Sequence, residues 1–209
     1  MIRSLFEAKI EDISAMLDKY PFENKQACHL FFSQQYYLIQ NSTRYEAIGA
    51  SLLPFERKEE FQERIQHLTG EFNHDDLIID DLNKLGFSEL LPISPPTKSL
   101  VAFIYYELET KGADALFGIS LLLEGLSTKQ CSKVGTRIKK SFGVDSEYLS
   151  VHDEADRVHF PNTMKMIENF AQHRHTAIIE NLEVSHFLYS SMIKHCHSQL
   201  EKVNLRQVV

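Results

Sequence analysis

The chain has 209 residues and a mass of 24.2 kDa, room for one domain or at most two small ones. Hydrophobic residues make up 43% and charged residues 24%, which excludes disordered and collagen-like chains. The formal charge of −7 speaks against sequence-independent nucleic-acid binding and against docking on anionic membranes, both of which need Lys and Arg.

The N-terminal stretch MIRSLFEAKIEDISAML carries acidic residues where a signal peptide needs an apolar run. No apolar run reaches membrane-span length, and three widely spaced Cys do not make a disulfide scaffold. A soluble cytoplasmic protein is expected. Leu5, Ile10, Ile13 and Leu17 recur at helical spacing, Ser4 and Glu7 form a capping-box pattern, and Pro21 ends this first helix. Asn24 can cap a second helix, from about Lys25 to Asn41, and Arg44 to Leu53 forms a shorter segment that stops at Pro54. A long helix is expected from about Arg57 to Leu85, with Gly86 as its left-handed terminator.

Leu91 to Pro96, LPISPP, is the clearest linker, because three Pro in six residues cannot continue a helix. Helices then run from Thr97 to Lys111 and, after Gly112, from Ala113 to Gly125. Ser127 and Gln130 suggest a fresh helix ending at Lys139, Lys140 and Gly143, and Asp145 can cap another that Pro161 ends. Asn162 to Gln172 and Thr176 to Val203 complete the set. No alternating run bounded by hairpin turns reads as a strand. The expectation is an all-α bundle of seven to nine helices, one domain over residues 1–209, with the linker joining two halves of a shared core.

Three places put metal-ligating side chains in helices. His152, Asp156 and His159 are spaced four and three apart in YLSVHDEADRVHF, so they share one helix face. The rise from His152 to His159 is about 10 Å, which suits two ions about 3.5–4 Å apart better than one. Glu71 and His74, in HLTGEFNHDDL, form a Glu-x-x-His pair, with His67 one turn earlier. Glu124 follows the apolar run Ile119, Leu121, Leu122 and Leu123, where an unpaired carboxylate is costly and a cation would offset the cost. Mixed nitrogen and oxygen ligation suits iron or manganese rather than structural zinc. Each element alone has an ordinary explanation, such as a solvated face or an interface carboxylate. Their co-occurrence on separate helices carries the metal reading. Cys131 is expected to be an inert buried thiol.

The order FFSQQYYLIQ, HDDLIIDDLNKLGF, ALFGISLLLEGLS and YLSVHDEADRVHF resembles the heme-oxygenase-like superfamily. It resembles most the branch with the non-heme diiron oxidases and oxygenases, the chlamydial death-domain-associating protein and the pyrroloquinoline-quinone synthase relatives. The resemblance spans nearly the whole chain. It implies a compact seven-to-eight-helix bundle, often dimeric, so a homodimer is expected. It places ligands at His74, Glu124, His152, Asp156 and His159. The sixth ligand is Glu71, or His67 where relatives carry a carboxylate, with His67 also possible as an additional ligand.

The implied function is a diiron, oxygen-dependent oxidase or oxygenase of small-molecule biosynthesis. It would use two Fe(II) ions, or Mn or a mixed Fe/Mn pair, with O2 as co-substrate and an external electron donor possible. The substrate would be a small amine or an amino-acid-derived molecule, aromatic ones included, undergoing N-oxygenation or oxidative carbon–carbon cleavage. Tyr36, Phe103, Tyr106 and Phe117 could wall its pocket, with plain core packing as the alternative. The competing functions are a cofactor-free enzyme like the thiaminase-type relatives or the quinone synthase, and a non-catalytic interaction protein on the same fold.

Overall fold

A computed structural model describes the backbone of residues 2–206 and the side chains of residues 2–202. Met1 and residues 207–209 of the expected 1–209 unit lie outside the described residues. The described chain is all-α and has no strand. Its helices are α1 (Ile2–Lys19), α2 (Lys25–Ile39), α3 (Ser42–Ser51), α4 (Lys58–Gly70), α5 (His74–Lys84) and α6 (Pro95–Lys111), then a 3-10 turn over Ala113–Ala115, then α7 (Leu116–Phe142), α8 (Glu147–Glu168) and α9 (Gln172–Arg206). No described helix is long and apolar enough to cross a membrane.

Several helix ends follow their local chemistry. The Asn24 side chain accepts from the backbone N–H groups of Gln26 and Ala27 at 2.8 and 3.2 Å and starts α2. Gly86 (φ 92°) follows α5 and Gly143 (φ 72°) closes α7, each in the left-handed region expected of it. Elsewhere the structure corrects the sequence reading. α1 begins at Ile2, so Ser4 is not its cap. α6 starts at Pro95 and Pro96, with Ser94 as N-cap, because Pro is tolerated where a helix has no N–H to pair. The N-cap of α8 is Ser146, not Asp145; its hydroxyl accepts from Leu149 N–H at 3.2 Å.

Three boundaries differ more deeply. α7 runs unbroken past Ser127, because Leu126, Gln130, Cys131, Val134 and Ile138 keep one side buried throughout. α8 passes through Pro161 to Glu168. An interior Pro costs roughly 3 kcal/mol, but Met164 and Ile167 beyond it are fully buried, and each large apolar side chain so buried contributes roughly 1.5–3 kcal/mol. Finally, the long helix expected from Arg57 to Leu85 is two helices. Asn73 adopts a left-handed conformation (φ 67°) and turns the chain between α4 and α5.

α7 lies at the centre and packs on α1, α8 and α9. Two glycines allow the approach. A Cβ on Gly118 would stand 2.6 Å from Leu182 N and 2.7 Å from Ile178 O on α9, and one on Gly125 would stand 2.2 Å from Ile10 Cδ1 on α1. The LPISPP segment is not a free linker. Gln34 of α2 donates to Pro92 O and accepts from Ser94 N–H and Thr97 Oγ1, while Ser33 Oγ accepts from Leu91 N–H. These bonds satisfy backbone groups that a Pro-rich stretch cannot pair internally.

Candidate metal centre

The predicted ligands converge in the bundle from α4, α5, α7 and α8. Glu71, His74 and His152 present donor atoms that all lie within 4.8 Å of one another. Glu71 Oε2 is 3.5 Å from His74 Nδ1 and 3.9 Å from His152 Nε2. The local structure of this group differs from the sequence expectation. Glu71 is not on a helix face with His74. It is the C-cap of α4, and His74 opens α5 across the Asn73 turn. The turn brings the two side chains together where a single helix was expected to do so.

One turn before Glu71, His67 faces the same space. Its Nε2 is 3.7 Å from Glu124 Oε1 and 3.8 Å from Glu71 Oε1. Its ring meets that of His159 edge-on at 5.5 Å between centroids. Asp156 lies between the two imidazoles of α8, with Oδ1 3.6 Å from His159 Nδ1. His152 and His159 thus address different ends of the cluster, as the rise along α8 requires. His152 stands with Glu71 and His74, whereas His159 stands with His67. The first end is deeply buried and the second more open: the side-chain exposure of His152 is 8% and that of His159 is 39%.

The donors suit a cation. His152 Nδ1 meets the Tyr148 carbonyl at 2.8 Å. A carbonyl only accepts, so Nδ1 carries the proton and Nε2 faces the cluster. That Nε2 has no hydrogen-bond partner, nor do His74 Nδ1, His159 Nδ1 and Glu124 Oε2, and all four are buried. Such atoms are costly to leave unpaired, and cations at the two ends of the cluster would satisfy them.

The electrostatics show the same need. Burial pushes the Glu124 carboxyl up to about 8, with Asp156, Glu46 and Glu71 adding to the rise and only His67 opposing it. Burial also disfavours charge on His67, but Glu46, Glu124 and Glu71 outweigh it and push the imidazole up to about 10. Burial raises Glu71, yet His152 and His74 hold it below the ordinary carboxylate range. Burial thus works against charge on Glu124, and the acids and imidazoles around it partly compensate one another.

Two supporting residues were not singled out from the sequence. Asp81 of α5 accepts from Ser146 Oγ at 2.5 Å and from the N–H groups of Glu147 and Tyr148 at 3.0 and 3.1 Å. It holds the N-terminus of α8 to α5, and so sets His152 against His74. Its sequence signal was a fourth acid in HDDLIIDD with no special spacing. Glu46 of α3 is buried, accepts from Arg64 Nη1 at 2.8 Å and lies 3.3 Å from His67 Nδ1.

A cavity of about 120 Å³ opens on the cluster. Glu71, Glu124, His152 and Asp156 form its polar end; Leu38, Ile119, Leu123, Leu126 and Tyr189 are among its apolar walls. Tyr36, Phe103, Tyr106 and Phe117, expected to wall a substrate pocket, do not line it. Tyr36 packs edge-on against Tyr37, and Tyr106 is 59% exposed. Phe117 stacks beneath the Arg64 guanidinium at 4.3 Å and lines a second cavity with Glu46, His67, Glu124 and His159. Helical spacing placed these aromatics on helices but not on the face that meets the cavity.

The fold resembles solved structures of heme-oxygenase-like type. A domain of unknown function with a heme oxygenase-like fold from Shewanella denitrificans superposes with a TM-score of 0.83 at 15% identity, covering 96% of this chain and 94% of that one. A TenA homolog from Pseudomonas syringae pv. tomato gives 0.75 at 11% identity, covering 95% and 93%. A TenA homologue from Pyrococcus furiosus gives 0.65 at 14% identity, covering 94% and 100%. No curated protein sequence matches the chain. The sequence model of a family described as iron-containing redox enzymes matches residues 26–184. The chain carries the heme-oxygenase-like fold and belongs to this family of iron-containing redox enzymes.

Proposed function

We propose that the protein is a non-heme diiron, oxygen-dependent oxidase or oxygenase. The observation that carries this reading is the set of buried donor atoms without hydrogen-bond partners on His74, Glu124, His152 and His159. Glu71, His74 and His152 would hold one ion, with Glu124, Asp156, His159 and His67 around a second position. Two Fe(II) ions are the reading; manganese or a mixed pair fits the same donors. When bound, the ions supply the binding and reduction of O2 and the oxidation of substrate.

The chain's own residues do the rest. Tyr148 fixes the His152 tautomer through its carbonyl, as an outer-shell partner orients a ligand. Leu38, Ile119 and Leu123 keep the cavity apolar beside the ligands, which excludes bulk water from the reacting centre. No Lys or Arg is among the residues lining this cavity. Apart from the imidazoles and the ions they would hold, a substrate amine meets only acids and neutral groups there. This supports a small amine or amino-acid-derived substrate, modified by N-oxygenation or oxidative carbon–carbon cleavage, with an external electron donor where the balance requires one. Oxygen consumption by Fe(II)-loaded protein across a panel of amines and amino acids tests the reading. Uptake that depends on both iron and one panel member is expected; uptake indifferent to iron loading would contradict it.

The TenA homologues among the structural neighbours favour one competing reading, a cofactor-free enzyme. Its nucleophile would be Cys131, which does line the cavity. Burial pushes that thiol up to about 12, so it is not a thiolate at neutral pH. Turnover undiminished by chelators would favour this second reading.

A further inference from the structure

We propose that Glu46 is a positioning residue for the metal centre, which fixes His67 as an additional imidazole ligand. The inference rests on the metal-binding reading above and assigns roles to residues of α3 and α4 that no helix-face motif brings together.

The arrangement is a chain of buried contacts. Arg64 and Glu46 have side-chain exposures of 5% each and pair at 2.8 Å. Arg64 is held in turn by the Ala113 carbonyl at 2.8 Å and by the Phe117 ring at 4.3 Å. One carboxylate oxygen of Glu46 is thus committed to Arg64. The other, Oε1, faces His67 Nδ1 at 3.3 Å.

A carboxylate at Nδ1 selects the imidazole form with its proton there. When a cation displaces the second ring proton, the lone pair is on Nε2, and Nε2 is the atom that faces Glu71 and Glu124 at 3.8 and 3.7 Å. A carboxylate behind a histidine whose other nitrogen points at a ligand cluster is the usual way to hold a metal-binding imidazole in tautomer and orientation. Two alternatives account for less. A simple surface ion pair would not need Glu46 buried and locked from behind by Arg64. A purely structural Arg64–Glu46 pair would not need His67 to turn its ring edge toward the acids.

The test is an anaerobic titration of the metal-free full-length protein with Co(II), followed by calorimetry and visible absorption. Wild type should take up two ions. His67→Ala should weaken one of them by at least the roughly 10–100-fold typical of losing an outer-shell partner, and alter the Co(II) spectrum. Glu46→Ala should weaken the same ion in that range, and Glu46→Ala/His67→Ala should be no worse than His67→Ala alone. Glu46→Gln, which keeps an acceptor for the Nδ1 proton, should restore most of the affinity. Glu46→Ala leaves Arg64 buried without its partner and could unfold the chain. Glu46→Met/Arg64→Met removes both charges at once, and should show the same loss of affinity in a folded protein. Two ions bound with unchanged affinity in the His67 and Glu46 variants, or losses that multiply in the double variant, would overturn the assignment and leave the metal centre standing. No Co(II) bound by wild type would overturn both.

Discussion

The two limbs that meet at the candidate centre are built differently. α7 and α8 bring Glu124, His152 and Asp156 from the packed interior. α7 is pressed against α1 and α9 through Gly125 and Gly118, and α8 is held at its start by Asp81. The α3–α4 limb brings Glu46, His67 and Glu71, yet the residue α4 buries is Arg64 alone, and Phe61 and Ile65 stand exposed. One wall of the site is thus held by apolar packing. The other is held mainly by the charged contacts of Arg64, Glu46 and their neighbours. Cations bound between the limbs would add the contacts that α4 lacks.

The largest expected effect breaks the rigid limb. His152→Ala or Asp156→Ala removes a buried donor from α8, and each should abolish tight binding of at least one ion, a loss of 100-fold or more, read by calorimetry. Next comes the support of that limb. Asp81→Ala leaves Ser146 and two backbone N–H groups unpaired, and should lower stability by roughly 2–3 kcal/mol in chemical denaturation, with weaker metal binding following from the loosened α8.

A third expectation concerns pH. Glu124 is raised to about 8 and His67 to about 10 in the folded protein. Both therefore hold protons that the unfolded chain releases at lower pH. The stability this contributes is full below about 4.5 for Glu124 and below about 6.5 for His67, and it is lost as pH rises through 8 and 10. Between pH 6 and 9 the metal-free protein should lose on the order of 10 °C in melting temperature. Metal-loaded protein should show a flatter profile, because bound cations replace those protons. A melting temperature that rises over this range without metal would contradict the electrostatic account. The smallest effect sharpens the contrast between limbs. Amide hydrogen exchange in α4 should slow by about tenfold on metal binding while α7 changes little.

What could be read from the sequence divides along the same line. On α8 the ligands lie at spacings of four and three in one continuous helix, so periodicity alone put them on one face. Glu124 announced itself as an acid in an apolar run. The α3–α4 limb was harder to read. Gly70, Glu71, Phe72 and Asn73 contain no Pro, and a left-handed Asn is invisible to periodicity, so one long helix was expected where two meet at a turn. Glu46 lies in STRYEAIGAS, a segment of mixed polarity, and its partner Arg64 is eighteen residues away. Only the folded chain brings them together. The aromatic residues divide for a related reason: Phe117 lines the second cavity and Tyr36, Phe103 and Tyr106 line neither, because a helix presents several apolar faces and spacing does not say which one meets a cavity.

Elemental analysis of the protein loaded anaerobically with Fe(II) and then desalted tests the central claim most directly. The account predicts two iron atoms per chain in wild type and one or none in His152→Ala and Asp156→Ala, each still folded. Wild type that retains no iron, or variants that keep the full stoichiometry, would contradict it.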